Sequence, residues 1–303
     1  MTAIDLDGVT KRYGDVLALN DLDLMIDEGE IFGFLGPNGA GKSTTINILL
    51  DFVRPTAGSV EVLGMEARTH SKEIRARTGV LPEGFEVYER LTGRQHVQFA
   101  IESKGVSQDP DALLQRVDLL DAADRKAGGY SKGMQQRLTM AMALVGDPEL
   151  LILDEPTTGL DPRGAREVRD IVRQERDRGA TVFFSSHILG QVQAVCDRVG
   201  ILREGELVAV DTIEGLRDAA GDGSKLTVSV DVATDEAVEA VRNVDGVQEV
   251  TVRDSTLSVA CEEGAKTRVI STIEDVGVTV EDFSTEETSL EDLFMAYTGE
   301  EGR

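Results

Sequence analysis

The nine residues Gly36-Pro37-Asn38-Gly39-Ala40-Gly41-Lys42-Ser43-Thr44 constrain this chain more tightly than any other stretch of it. They satisfy the pattern G-x-x-x-x-G-K-S/T in the setting that gives it meaning, behind a buried strand at Glu30–Leu35 and ahead of a helix at Lys42–Leu50. Glycines at these spacings let backbone N–H groups converge on phosphate oxygens, and the helix N-terminus adds partial positive charge. Lys42 is placed to reach the β- and γ-phosphates of a nucleotide, and the Ser43 hydroxyl to ligate Mg²⁺. Standing alone, such a run also reads as a glycine turn capped by a lysine.

A second element argues against the plain turn. Leu150-Leu151-Ile152-Leu153 is a continuous apolar run that ends in Asp154 and Glu155. Runs like this one and Thr181-Val182-Phe183-Phe184 suit strands of a parallel sheet covered on both faces. A carboxylate at Asp154 can hold Mg²⁺, directly or through water. Glu155 then falls where a base takes a proton from water attacking the γ-phosphate. Two acids capping a strand end are the structural alternative.

The third element is Tyr130-Ser131-Lys132-Gly133-Met134-Gln135-Gln136-Arg137, with Ser131 23 residues ahead of Asp154. By itself it is a polar start to a helix. In this order with the other two, it resembles the signature of ATP-binding cassette (ABC) ATPases, a resemblance that covers about residues 2–216. The resemblance implies an ATPase that closes as a dimer with a second copy or a related cassette. Ser131 and Gly133 would then meet the γ-phosphate held by the partner. It also puts Tyr13 where an aromatic ring stacks on adenine, although a tyrosine there equally reads as a surface turn. Asp161, in Gly159-Leu160-Asp161-Pro162, corresponds to the loop that contacts the opposite subunit. His187, after the run Thr181–Ser186, corresponds to the histidine that contacts the γ-phosphate; a lone His after a strand is otherwise a core residue.

Two positions depart from the general family pattern. Glu83, after Val80-Leu81-Pro82, stands where most cassettes have glutamine. A carboxylate there can still ligate Mg²⁺, but it repels the γ-phosphate unless the metal lies between them. Tyr-Ser-Lys-Gly-Met replaces Leu-Ser-Gly-Gly-Gln, and Lys132 adds a cation that favours an anion. These versions resemble the drug- and sodium-export type of ABC ATPase. The closing Ser289-Leu290-Glu291-Asp292-Leu293-Phe294 resembles the tail of that subgroup, which carries a small C-terminal domain.

The length of 303 residues suits two domains. Residues 1–216 are expected to form an α/β P-loop core with an antiparallel β part and a helical subdomain at about 88–147. Gly93–Lys104 and Ser131–Val145 are its best helices, and Arg163–Arg178 reads as a charged, exposed helix. Beyond a loop at Asp218–Ser224, residues 217–303 alternate as βαββαβ, a ferredoxin-like α+β pattern, followed by a helix at Ser289–Tyr297. There Leu226, Val228, Val230 and Val232 form one strand face, a hairpin turns at Arg253-Asp254-Ser255, and the last strand covers Val276–Phe283. This accessory part carries 21 acidic and seven basic residues.

The net charge of −25 argues against a nucleic-acid partner, because a like-charged surface repels phosphate backbones. Eight Lys against 23 Arg, with acids spread throughout, resembles proteins of salt-loving cells; an ordinary acidic protein is the alternative. Folding measured with and without molar salt separates the two. Cys196 and Cys261 read as free buried thiols. No run approaches the ~20 apolar residues of a membrane span, and the N-terminus lacks signal-peptide character. The expectation is a cytoplasmic motor subunit that binds ATP and Mg²⁺, held at the inner face of the cell membrane by a separate permease, in an exporter. A soluble ABC ATPase with a regulatory role is the rival, and a P-loop kinase or GTPase a distant third, since neither explains Ser131–Arg137.

Overall fold

The computed structural model describes residues 1–219, 224–253, 255–261 and 263–286, and divides into two compact units, Met1–Thr212 and Ile213–Arg303. The expected helix at Ser289–Tyr297, the tail Ser289–Phe294 and the turn residue Asp254 lie outside the described residues. In chain order the first unit runs β1 (Thr2–Tyr13), β2 (Val16–Asp27), β3 (Ile31–Leu35), α1 (Lys42–Leu49), β4 (Ala57–Val62), β5 (Met65–Glu66), α2 (Ala67–Arg77), β6 (Thr78–Leu81), α3 (Gly93–Lys104), α4 (Pro110–Arg116), α5 (Lys132–Ala143), β7 (Leu150–Asp154), α6 (Pro162–Asp177), β8 (Thr181–Ser186), α7 (Leu189–Gln193), β9 (Arg198–Arg203) and β10 (Glu206–Thr212).

Two sheets share one core. The central sheet has the order β10-β9-β3-β8-β7-β6, parallel apart from the β9–β10 hairpin. Every residue of β3, β7 and β8 is buried, which is why their sequences are apolar runs and do not alternate. Against this sheet packs an antiparallel one of order β2-β1-β4-β5. Its strands do alternate, and Ile4, Leu6, Leu22, Leu24, Ile26 and Val60 face the same apolar cluster as Phe32, Phe34 and Phe183. The rings of Phe34 and Phe183 lie 5.0 Å apart. Each such side chain contributes roughly 1.5–3 kcal/mol by leaving water.

Between β6 and β7 the chain leaves the sheet to form the helical insertion, α3 to α5. Thr92 and Gln95 close a capping box on α3, which ends at Gly105 in the left-handed conformation. The insertion is seated closely on the sheet. A Cβ on Gly79 of β6 would lie 2.1 Å from the carbonyl oxygen of Ala143, at the end of α5, so only glycine fits there. Arg116 of α4 adds a buried ion pair to Glu175 of α6.

The helix predicted at Arg163–Arg178 as exposed is α6, and one face of it is buried. Ala165, Val168, Ile171 and Val172 fall on that face at helical spacing, with Glu175 beside them paired to Arg116. Charge fills its other face.

The second unit contains α8 (Ile213–Ala219), β11 (Ser224–Val230), α9 (Asp235–Arg242), β12 (Val247–Arg253), β13 (Thr256–Cys261), α10 (Lys266–Asp275) and β14 (Val280–Glu286). Its strands form an antiparallel sheet of order β12-β13-β11-β14, the ferredoxin-like arrangement. Leu226, Val228, Leu257 and Val259 pack against Val241, Val269 and Ile273 of the helices. Two expected strand limits are corrected. β11 stops at Val230, because Asp231 Oδ1 accepts from the N–H groups of Val232 and Thr279 and turns the chain, leaving Val232 exposed. β14 begins at Val280 instead of Val276, because Gly277 at φ +83° ends α10 with its N–H donated to Glu274 O. Cys196 and Cys261 are both buried, and Cys196 is a free thiol.

Candidate active site

The glycine-rich loop joins β3 to α1. Gly36 donates to Ser186 O of β8 at 3.2 Å, and a Cβ at Gly36 would sit 2.5 Å from Leu202 O. Gly41 has φ +117°, a conformation closed to L side chains. The loop is thus held at the C-terminal ends of three neighbouring strands, and α1 opens with N–H groups that have no intrahelical partner. Asn38 and Gly39 are exposed at its tip, Pro37 is half-buried, and Ala40 is buried with its carbonyl accepting from Gly205 N–H at 2.9 Å. Ser43 is exposed and Thr44 half-buried.

Lys42, only 7 % exposed, donates to Gly36 O at 2.6 Å and to Pro37 O at 3.3 Å. Its ammonium also lies 3.5 Å from Glu155 Oε1. A charge taken out of water needs partners of this kind. Glu155 has them on both oxygens: Oε1 accepts from His187 Nδ1 at 2.8 Å and Oε2 from the Thr158 hydroxyl at 2.8 Å. The Glu155 backbone adopts φ +51°, the left-handed region, which turns its side chain back toward the loop.

Asp154 ends β7 in register with Ser185 of β8, and the Ser185 hydroxyl donates to Asp154 Oδ1. Burial pushes the Asp154 carboxyl above the usual carboxylate range, and the neighbouring charge of Glu155 adds to this. The Ser185 hydroxyl, the Lys42 ammonium and the Ser43 hydroxyl work in the opposite sense. Lys42, Ser43, Asp154, Glu155 and His187 are therefore brought together at one end of the sheet.

The remaining candidates lie on other elements. Glu83 is exposed, two residues beyond Leu81, whose register partner Leu153 precedes Asp154. Tyr13 ends β1 half-exposed, with the Lys11 ammonium 4.7 Å from its ring centroid. Ser131 caps α5 through a hydrogen bond from Met134 N–H at 3.3 Å, and Asp161 caps α6 from Gly164 N–H at 2.7 Å. Ser131 and Gly133 line one concavity of about 450 Å³ together with Gly159 and Asp161. Both caps thus combine a helix-starting role with a place on that surface.

Sequence reasoning missed Ser185 and Thr158, which hold the two carboxylates. Ser185 had a signal, since a polar residue closing an otherwise apolar strand faces the strand-end acid next to it. Thr158 had none, because its contact arises from the turn after β7.

The sequence matches the family described as "ABC transporter" over residues 19–158. Residues 212–298 match "ATP-binding protein DrrA1-3-like, C-terminal domain". A daunorubicin resistance ATP-binding protein of Streptomyces coeruleorubidus is 36% identical, over 98% of this chain and 95% of its own. The bacitracin transport ATP-binding protein of Bacillus licheniformis is 34% identical over 98% of each chain. Among solved structures, an ATP-binding subunit of an ABC transporter superposes with a TM-score of 0.65 at 29% identity, covering 73% of this chain and 94% of the other. A dimeric cassette in a post-hydrolysis state bound to ADP and Pi gives 0.63 at 26% identity, covering 69% and 98%. A nucleotide-gripping loop, a buried acid pair beside it and relatives that match end to end lead to one assignment: the chain belongs to the ABC transporter family, as an ATP-binding and ATP-hydrolysing subunit.

Proposed function

We propose that this chain is the motor of an exporter, closing with a second copy of itself or a related cassette around two ATP molecules and driving a separate membrane permease. The convergence of Lys42, Asp154, Glu155 and His187 at the ends of β3, β7 and β8 carries the reading. On binding ATP, Lys42 exchanges the Gly36 and Pro37 carbonyls for the β- and γ-phosphates. Glu155 takes the proton of the attacking water, while Thr158 and His187 hold its carboxylate in aim. Tyr13 stacks on adenine; Ser131 and Gly133 meet the γ-phosphate from the other copy, and Asp161 packs across that interface. ATP favours closure because only the closed state makes these contacts.

The donors at the site suit a hard cation: the Ser43 hydroxyl and the Asp154 carboxylate, with Glu83 on the adjoining strand end, are all oxygen. These residues would hold Mg²⁺, which when bound neutralises charge on the phosphate oxygens. Only an ionised Asp154 serves. Its raised pKa therefore moves the loss of Mg²⁺-dependent activity on acidification to higher pH than an ordinary aspartate gives. In the metal-free protein the sign is opposite. Stability contributed by protonated Asp154 is full below its unfolded pKa and is lost as pH rises through the higher folded value. The rise in Tm caused by Mg²⁺ and ATP should accordingly grow with pH across that window; a flat profile would count against Asp154 as the ligand.

The permease has a candidate seat. Phe52, Phe85, Phe99, Leu81 and Met142 line an apolar groove of about 530 Å³ between the sheet edge and the insertion, and Phe52 and Phe99 are more than half exposed. Among the described residues no helix is long and apolar enough to cross a membrane. The site is then cytoplasmic, on the inner face of the membrane. The relatives' names concern daunorubicin resistance and bacitracin transport, which supports export of compounds of that kind. Detergent extracts of native membranes should return the chain with a polytopic protein. Recovery solely from the soluble fraction would remove the permease from this reading.

A further inference from the structure

The loop from Pro82 to Tyr88 carries Glu83 and is anchored at both ends. At its start Leu81 is tied into the central sheet beside Leu153. At its end His96, on α3 of the insertion, reaches the loop backbone with its side chain. His96 is 1 % exposed. Its Nε2 accepts from Tyr88 N–H at 2.9 Å, and its Nδ1 lies 2.8 Å from Thr92 O, one turn back. A carbonyl can only accept and an N–H can only donate, so the proton sits on Nδ1 and the ring is held as one neutral tautomer. The Tyr88 ring stacks on the imidazole at 5.9 Å between centroids.

The same turn of α3 also touches the signature. A Cβ on Gly93 would fall 2.5 Å from the hydroxyl oxygen of Tyr130, the residue ahead of Ser131, and that hydroxyl donates to Ala122 O at 2.6 Å. One helical turn thus abuts the segment leading to Ser131 on one side and holds the Glu83 loop by His96 on the other. We propose that His96 is a positioning residue: it fastens the Tyr88 end of the Glu83 loop to α3 and so holds that loop in the one arrangement in which Glu83 serves turnover at the Asp154 site. This rests on the reading that Glu83 acts at the Asp154 site.

Steady-state ATPase of the full chain tests it, with Glu83→Ala, His96→Asn, His96→Gln and the Glu83→Ala/His96→Asn pair compared at matched folded fraction. An Asn amide reaches the position of Nδ1 and keeps the bond to Thr92 O, but it falls short of Tyr88. A Gln amide oxygen reaches the position of Nε2 and keeps the loop tether. His96→Asn should lower kcat about tenfold with KM for ATP within a factor of about two, since the Lys42 loop is untouched. His96→Gln should recover most of that loss. In the Glu83→Ala background His96→Asn should cost nothing further, as expected for two residues acting as one unit. Tyr88 lies outside any helix or strand and is more than half exposed, so Tyr88→Pro, which removes the N–H donor itself, should reproduce the His96→Asn loss. Additive losses in the pair, or full kcat in both His96→Asn and Tyr88→Pro, overturn the tether. Full kcat in Glu83→Ala alone instead overturns the role of Glu83, and the tether's purpose with it.

Discussion

Glu155→Gln should bind ATP at least as well as the parent chain, hydrolyse it about a thousandfold more slowly, and accumulate as an ATP-bound dimer. The estimate follows from what a positioned general base contributes, on the order of 10²–10⁴ in rate. Glutamine preserves the volume and can still accept from Thr158, so the turn after β7 has no reason to move. It cannot take a proton from water. It also releases Lys42 from an ionic partner 3.5 Å away, leaving the ammonium free for phosphate. His187 loses an anionic acceptor and must turn its other tautomer to the amide. Phosphate release and size-exclusion chromatography with Mg²⁺ and ATP report the two halves of the result. Undiminished turnover would remove Glu155 from the chemistry.

The second large effect is expected at the lysine. Lys42→Ala should weaken ATP binding about 100-fold, which corresponds to ~2.7 kcal/mol. It should also lower Tm, because Glu155 would be left buried with only His187 and Thr158 to answer its charge. The two losses separate in the Lys42→Ala/Glu155→Gln pair: removing both charges restores Tm, while ATP affinity stays low. Calorimetric titration with ATP and thermal melting measure them independently. Wild-type affinity in Lys42→Ala would mean that the phosphates are held by backbone N–H groups alone.

What the sequence displayed openly were features set by neighbours along the chain. The buried strands at 31–35, 150–154 and 181–186 are continuous apolar runs, and the loop at 36–44 carries its geometry in its own glycines. The βαββαβ order of the second unit was legible from period alone, because each of its strands shows one face to two helices. Where reading failed, the deciding partner lay far away or in the turn chemistry. The inner face of α6 was hidden by the eight charged residues that fill the rest of the helix. Strand β14 starts late because a glycine cap on α10 takes Val276 to Thr279, and Asp231, 48 residues earlier, holds Thr279. In the site, Lys42, Asp154 and Glu155 were visible as motif residues. Their mutual distances were not, since those depend on how β3, β7 and β8 are ordered in the sheet. The roles of Tyr13, Ser131, Gly133, Asp161 and His187 came from resemblance to a family, not from local pattern.

That ordering of strands also has a consequence for how the protein comes into being. The site sits on β3, β7 and β8, and the pairing of Leu35 with Ser186 joins residues separated by most of the first unit. Such closures are slow and come late, because loop entropy is spent before the contact returns anything. A nascent chain that has emitted its glycine loop, and even the whole insertion, still has no strand on which to hang Ser185 and no His187. The acid pair therefore cannot be aimed until β8 slides between β3 and β7. Partly made or partly unfolded chains are thereby kept from burning ATP: competence to hydrolyse waits for β8, the strand that joins β3 to β7.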